Sequence, residues 1–168
     1  MEISADSPIF LDTNILIYQS IAESPFYRQA AQKVASLEKQ GFPLWISRQV
    51  LREYLATLTR PGVFTEPIPI SSLAEQIRYF EQHLNVAEDS ARITFFLLSL
   101  MEQVKIGGKQ VHDANIVATM QAYQIPYLLT ANIGDFKRFS TLDYAVTFRR
   151  VVVQEKVMGI AVRHLEGV

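Results

Sequence analysis

Short apolar runs alternate with longer segments of helical periodicity along this chain of 168 residues, and this alternation constrains the fold more than any other feature. Runs of a few apolar residues predict buried strands, and the longer segments predict helices. The predicted strands cover residues 8–11, 44–46, 127–129, 146–148 and 151–153, with a strand remnant at Val86. Strands separated by helical patterns of about 10–15 residues are typical of α/β folds. The sequence therefore predicts a largely parallel central sheet covered by helices on both faces.

The predicted helices begin and end at residues that favour helix termini. They cover about residues 14–20, 26–40, 47–60, 71–83, 89–104 and 112–123. Gly41 is expected to end the second helix, because glycine readily adopts the left-handed conformation found there. Ser47, Ser71 and Ser72 are good N-cap residues, and Asp89 is expected to open the fifth helix. The sequence contains no internal repeat or domain-scale linker, so we expect a single domain over residues 1–168.

Composition excludes several classes of protein. The chain has no cysteine, which excludes a disulfide framework and a thiol nucleophile. It carries 16 basic and 17 acidic residues, for a net charge of −1. A nucleic acid would therefore have to bind a local basic patch. The longest apolar run, around residues 95–101, is too short to cross a membrane, and the N-terminus does not resemble a signal peptide. We expect a cytoplasmic protein that does not associate with membranes.

Carboxylates adjoin the predicted strand ends, which is where parallel α/β sheets bind ligands. Asp12 follows the first strand, and Glu53 lies on the second turn of the helix that follows the second strand. Asp113 opens the helix before the strand at 127–129, and Asp135 follows that strand. Taken alone, Asp12 and Asp135 can be helix caps and Glu53 can be a solvated helix residue.

Asp113 has no such ordinary explanation, because it falls in the stripe of Ile116, Val117 and Met120 that is expected to be buried. A helix dipole favours a nearby acid by only about 0.3–1 kcal/mol, whereas burying an unpaired carboxylate costs several kcal/mol. Two carboxylates about 4 Å apart repel by roughly 4 kcal/mol at an effective dielectric constant of about 20. A cluster of acids therefore requires a cation, and oxygen ligands favour Mg²⁺ or Mn²⁺ over zinc.

The four acids lie in four segments, IFLDTNILIY, SRQVLREYLATLTRP, VHDANIVATM and LLTANIGDFKRF. In this order and spacing the segments resemble the motifs of PIN-domain nucleases, and most closely those of VapC-type toxins, over about residues 8–140. The resemblance implies an α/β/α sandwich in which Asp12, Glu53, Asp113 and Asp135 are the catalytic residues and the ligands of Mg²⁺ or Mn²⁺. It also implies endoribonuclease activity on structured RNA such as tRNA or rRNA, homodimerisation, and inhibition by a small antitoxin. Residues 155–168 lie outside the motifs. They are expected to form a packed terminal element, and a dimer or partner contact is the alternative.

The expected chemistry assigns further roles to residues near the acids. A metal held by carboxylates lowers the pKa of a bound water, and attack by that hydroxide leaves a 5′-phosphate and a 3′-hydroxyl. The candidates to orient the acids are Thr13, Asn14, Thr130 and Asn132. The two threonines can equally bond to the backbone alone, and His112 is expected to point away from the acids. The candidates for phosphate contact are the basic residues that flank the motifs, Arg48, Arg52, Lys109, Lys137 and Arg138.

The fourth metal position has two candidates. Asn132 is nearer the end of the strand, but Asp135 carries the charge that a hard divalent cation prefers. We expect Asp135 to bind the ion directly or through water, and Asn132 to orient Asp135.

Two other functional classes are open from the sequence. The chain could be a non-catalytic PIN-fold module that binds RNA or protein, although none of the four acids is missing. It could also be a metal-dependent DNA nuclease or a phosphatase that uses the same acids. DNA nucleases of this kind usually carry more acids and an arch segment, for which the chain has no room.

Overall fold

A computed structural model describes residues 7–62, 64, 66–139 and 149–152 of the chain. Its strands are β1 (Ile9–Leu11), β2 (Leu44–Ser47), β3 (Asn85–Ala87), β4 (Tyr127–Thr130) and β5 (Arg149–Val152). They form one sheet in the order β3-β2-β1-β4-β5, and every neighbouring pair is parallel. The predicted parallel sheet is therefore confirmed. The predicted strand residues 146–148 and 153, and the tail 155–168, lie outside the described residues.

Helices connect the strands and cover the sheet, which confirms the predicted α/β/α sandwich of a PIN-like fold. They are α1 (Thr13–Ser20), α2 (Tyr27–Lys39), α3 (Arg48–Leu58), α4 (Ile70–His83), α5 (Ala91–Gln103), α6 (Gln110–Tyr123) and α7 (Ile133–Phe136). A 3₁₀ turn at Lys137–Phe139 follows α7. In the part of the chain that the structure describes, no helix combines the length and apolar character needed to cross a membrane.

Strands β1 and β4 are buried along their whole length, because helices cover both faces of the sheet. Ile9, Phe10 and Leu11 in β1 have no exposed surface, and all four residues of β4 are buried. Outside the sheet, the rings of Tyr54 in α3 and Phe80 in α4 meet edge to face with centroids 5.3 Å apart. Close packing of this kind resists displacement. The ends of β1 and β4 are therefore held in fixed positions.

The order of the strands creates a crevice where β1 and β4 end. Strands β2 and β3 lie on one side of β1 in the sheet, and strands β4 and β5, which come later in the chain, lie on the other side. The direction of winding changes between β1 and β4, and open α/β sheets bind ligands outside the carboxyl ends of the strands at such a point. The amide N of Asp12 donates to the carbonyl O of Leu129 at 3.0 Å, so Asp12 and Thr130 emerge side by side.

Two predicted helix caps are confirmed by the structure. Ser47 Oγ accepts a hydrogen bond from the amide of Val50 at 3.3 Å at the start of α3. Gly41 has a φ of +82° just after α2, the left-handed conformation that glycine adopts without strain.

The predicted starts of three helices are wrong. Helix α4 begins at Ile70, ahead of the two serines expected to cap it. Pro69 occupies the N-cap position, and its carbonyl O accepts a hydrogen bond from the amide of Leu73 at 3.2 Å. Helix α5 is capped by Ser90, whose Oγ accepts from the amide of Ile93 at 3.4 Å. The side chain of Asp89 instead pairs with a basic residue of α3. Helix α6 begins at residue 110, two residues earlier than predicted.

Candidate functional site

Asp12 occupies the N-cap position of α1, but its side chain makes no cap hydrogen bond. Its Oδ2 instead accepts hydrogen bonds from Asn14 Nδ2 at 2.7 Å and from Thr130 Oγ1 at 2.6 Å. Neither of these side chains donates to Oδ1. Asp12 is only 7% exposed, so its carboxylate is held inside the crevice between β1 and β4. The explanation of Asp12 as a helix cap is therefore wrong.

Asn14 and Thr130 join the ends of β1 and β4 around Asp12. Asn14 Nδ2 also donates to Thr130 Oγ1 at 3.2 Å, and Asn14 Oδ1 accepts from the amide of Ala131 at 3.1 Å. The Thr130 hydroxyl additionally accepts from the amide of Asn132 at 3.0 Å. Thr130 thus bonds to the carboxylate as well as to the backbone, and the polar groups of Asn14 are used in full across the crevice.

Glu53 is bound by three side chains and is not a solvated helix residue. Thr13 Oγ1 donates to Glu53 Oε2 at 2.8 Å. Gln49 Nε2 donates to the other carboxylate oxygen, Oε1, at 2.6 Å, and His112 Nδ1 lies 3.1 Å from the same oxygen. The Glu53 side chain retains 29% of its exposure, so it is partly accessible from solvent.

Gln49 and Asn115 are site residues that the motifs do not predict, and the predicted orientation of His112 is wrong. Gln49 and Glu53 are four residues apart in α3, so they share a face of the helix, and this spacing was a usable signal. Asn115 Nδ2 donates to Gln49 Oε1 in a short contact between α6 and α3. His112 was expected to point away from the acids. In the structure, His112 lies in the first turn of α6 and contacts Glu53.

Asp113 and Asp135 lie near the start of α6 and α7. Asp113 is partly buried, and so less enclosed than its position in the apolar stripe predicted. Asp135 accepts a short hydrogen bond from Asn132 Nδ2, which is the contact expected if Asn132 orients it. Phe136 and Phe139 are buried and anchor this segment next to the crevice.

Burial raises the pKa of Asp12 to about 6, well above the usual range of a carboxyl. The negative charge of Glu53 raises this pKa further. Hydrogen bonds from Thr130, Asn14 and the backbone of Thr13 oppose the rise, because they stabilise the charged form.

Burial also raises the pKa of Asp113, to about 7. The negative charges of Asp135, Asp12 and Glu53 add to the effect, and the positive charge of Arg138 opposes it. The fold therefore brings all four acids close enough for their charges to interact.

In the described residues, no group of three or more His, Asp or Glu side chains is arranged so that it could hold a metal ion. Glu53 and Asp135 are instead bound to neighbouring hydrogen-bond donors. The chemistry of the donors nevertheless fits a hard divalent cation, because the acids supply only oxygen and a cation would offset their mutual repulsion. That Asp12, Glu53, Asp113 and Asp135 are the ligands stays a prediction.

The basic residues near the motifs fall into two groups. Arg48 and Arg52 in α3 form ion pairs with acids that flank β3, namely Glu81, Glu88 and Asp89. Exposed ion pairs contribute only about 0–1 kcal/mol, so a phosphate could compete with them. Arg138 is partly buried, and its charge acts on Asp113. Two further candidates are exposed, Lys109 and Lys137.

Comparison with known proteins identifies the fold. Residues 9–142 match the family model described as PIN domain. No curated protein sequence matches the chain. Among solved structures, the chain is similar to VapBC2 from Rickettsia felis bound to a promoter DNA fragment, with 19% identity and a TM-score of 0.60. That match covers 88% of this chain and 99% of the other.

Two further structures have the same fold. A toxin–antitoxin complex from Klebsiella pneumoniae is 22% identical, with a TM-score of 0.55 over 85% of this chain and 99% of the other. The sarcin–ricin loop cleaving toxin VapC20 from Mycobacterium tuberculosis is 17% identical, with a TM-score of 0.57 over 71% of this chain and 86% of the other. At identities this low, the structural similarity shows a common fold and nothing more about function.

Replacing Asp113 by asparagine should preserve or raise the stability of the metal-free protein at neutral pH. The pKa of Asp113 is about 7 in the folded protein and about 3.9 in an unfolded chain. The folded state therefore binds more protons between these values, and stability falls as pH rises through that window. The Asp113→Asn variant should lose this part of the pH dependence, whereas Asp12 contributes a smaller effect of the same sign. Melting temperatures in EDTA from about pH 5 to pH 8 measure the difference.

The matched control is Asp89→Asn, which alters an acid outside the crevice and should give no gain at high pH. An Asp113→Asn variant that melts well below the wild type at about pH 8 would contradict the repulsion and make Asp113 a structural residue with a protein partner.

Proposed function

Because this chain belongs to the PIN-domain family, we propose that it is a Mg²⁺- or Mn²⁺-dependent endoribonuclease and the toxin of a VapC-type toxin–antitoxin pair. The observation that carries the proposal is the interaction of four carboxylates at the crevice between β1 and β4, where burial and then the charges of the other three acids raise the pKa of Asp113. Similarity to a sarcin–ricin loop cleaving toxin supports RNA as the substrate class, and tRNA or rRNA is the expected target.

The residues around the crevice have different proposed roles in hydrolysis. Asp12, Glu53, Asp113 and Asp135 would hold the ion. When bound, Mg²⁺ would supply a more acidic water and neutralise charge on the attacked phosphate. Hydrogen bonds to one oxygen of Asp12 fix the carboxylate while the other oxygen receives no bond from those donors. With water as the nucleophile, the products carry a 5′-phosphate and a 3′-hydroxyl.

Phosphate contact is assigned to the basic residues that adjoin α6 and α7, Lys109, Lys137 and Arg138. The chain has a net charge of −1, so its overall field does not attract RNA. A local patch beside the acids would bind the backbone and hold a phosphodiester over the crevice. Arg48 and Arg52 are further candidates, and a phosphate bound there would compete with the acids that pair with them.

The purified protein should cut RNA at discrete sites in Mg²⁺ or Mn²⁺, and EDTA should stop the reaction. Asp12→Asn should lower the cleavage rate by more than about 100-fold, beyond the usual cost of losing a supporting hydrogen bond. Glu38→Gln, which alters an exposed acid near the end of α2 and outside the crevice, should cleave like the wild type. Gel analysis of total RNA, followed by identification of the product termini, makes the measurement.

Each alternative outcome has a distinct signature. Cleavage that persists in EDTA, or products with a 2′,3′-cyclic phosphate, would contradict the proposed chemistry. Cleavage of DNA but not RNA would make the protein a DNA nuclease. Binding of RNA without cleavage in either metal would make it a non-catalytic module.

Asp135 and Asn132 should differ in how they affect the reaction. Asp135→Asn should raise the Mg²⁺ concentration for half-maximal cleavage by about 10- to 100-fold, because a charged group near the ion is lost. Asn132→Ala should mainly lower the rate at saturating Mg²⁺, because it removes the donor that holds Asp135. Metal titrations of the two variants separate these effects, and the reverse pattern would move the fourth ligand to Asn132.

A small antitoxin and a second copy of the chain are the proposed protein partners. Similarity to toxin–antitoxin complexes supports the first, and a short neighbouring gene for a DNA-binding protein is the expected genetic arrangement. The surface of α5 supports a second copy of the chain as a partner. Phe95 and Leu98 are 64% and 56% exposed and are three residues apart, so they form an apolar patch with Met101. Exposed apolar patches commonly mark interaction surfaces.

Leu98→Glu should convert the homodimer into a monomer, because it places a charge in the centre of the patch on α5. Ile70→Glu is the matched control, since Ile70 is 69% exposed but lies on α4, and it should leave the dimer intact. Light scattering coupled to size-exclusion chromatography measures the masses. A wild-type monomer, or a Leu98→Glu variant that remains a dimer, would contradict this surface.

A further inference from the structure

Gln49 has a buried side-chain amide, and the four motifs give this residue no role. It is 7% exposed and lies in the first turn of α3, one helical turn before Glu53. Its Nε2 donates to Glu53 Oε1 at 2.6 Å and to the carbonyl O of His112 at 3.0 Å. Its Oε1 accepts from Asn115 Nδ2. Both amide hydrogens and the amide oxygen of Gln49 are therefore used.

These contacts allow only one orientation of the Gln49 amide. A rotation of the amide by 180° would turn its oxygen toward the Glu53 carboxylate and the His112 carbonyl, both of which are acceptors. It would also turn the amide nitrogen toward the Asn115 amide nitrogen, which is a donor. Buried polar groups without partners are costly, so neighbours of this kind hold the amide in a single orientation.

The Gln49 amide connects two elements that each carry a proposed metal ligand. Glu53 belongs to α3, and the carbonyl of His112 is in the residue that precedes Asp113 in α6. We propose that Gln49 is a positioning residue, which orients the Glu53 carboxylate and ties it to the backbone of α6 beside Asp113. The proposal rests on the proposed function, since it assigns to Gln49 a role in the geometry of the metal ligands.

A second buried glutamine provides a matched control. Gln121 in α6 is 9% exposed, and its Oε1 has no hydrogen-bond partner among the residues that the structure describes. Replacing either glutamine by methionine removes a buried amide and keeps a side chain of similar length and volume. Gln49→Met therefore removes the contacts to Glu53, His112 and Asn115, and Gln121→Met removes a buried amide that makes none of them.

The experiment measures Mn²⁺ binding to the full chain by titration calorimetry, well below the melting temperature of each variant. Gln49→Met should raise the Kd for Mn²⁺ by about 10- to 100-fold, the usual cost of losing a group that orients a metal ligand. Gln121→Met should leave the Kd within about twofold of the wild type. Asn115→Ala removes the donor that orients the Gln49 amide, and it should weaken Mn²⁺ binding in the same direction by a smaller factor.

A double-variant cycle separates positioning from a general loss of structure. If Gln49 acts through Glu53, the combination of Gln49→Met with Glu53→Gln should weaken Mn²⁺ binding much less than the product of the two single effects. Independent effects would multiply, and that result would overturn the positioning role.

The remaining outcomes are also decisive. Gln49→Met with a wild-type Kd, alongside a weakened Glu53→Gln variant, would overturn the role of Gln49 and leave the proposed function standing. Equal weakening by Gln49→Met and Gln121→Met would assign the effect to lost packing and overturn it as well. If Gln49→Met does not fold, the Kd of Asn115→Ala for Mn²⁺ decides the question, and a wild-type value would overturn the proposal. A wild-type protein that binds no Mn²⁺ would overturn both the positioning role and the proposed function.

Discussion

Repulsion between carboxylates, held together where β1 and β4 end, is the constraint on which the rest of the structure depends. Burial and the negative charges of the other acids raise the pKa of Asp113 to about 7. Carboxylates that repel each other stay close together only if the residues around them are held in place. The buried strands provide that support, and hydrogen bonds from Asn14 and Thr130 fix the Asp12 carboxylate. Two layers of support, the apolar core and a set of neutral donors, therefore hold the charges in place.

The same arrangement links the stability of the protein to its proposed activity. Carboxylates that repel each other in the metal-free protein lower its stability, and the proposed function uses the same acids as oxygen ligands of a hard divalent cation. Active sites often violate the rules that favour stability elsewhere in a fold. Hydrogen-bond donors such as Thr13 and Gln49 carry no charge, so they orient Glu53 without neutralising it.

The sheet and the positions of the acids could be predicted from the sequence, because both follow from local patterns. Short apolar runs predict covered parallel strands, and the strand-end rule led directly to Asp12. The contacts of Gln49 with His112 and Asn115 could not be predicted, because the partners are 63 and 66 residues away in the chain. Such contacts depend on how α3 and α6 pack. The start of α4 does not follow from its two serines, because the helix begins at Ile70 with Pro69 at the N-cap and without a side-chain cap.

The central claim is that this cluster of carboxylates binds a divalent cation, and anomalous diffraction from crystals soaked in Mn²⁺ tests it most directly. The account predicts an anomalous peak in the crevice between β1 and β4, within about 2.5 Å of carboxylate oxygens that include those of Asp12 and Asp113. Crystals of the Asp113→Asn variant should show a much weaker peak. The absence of a peak at saturating Mn²⁺, or a peak held by residues outside the crevice, would contradict the account.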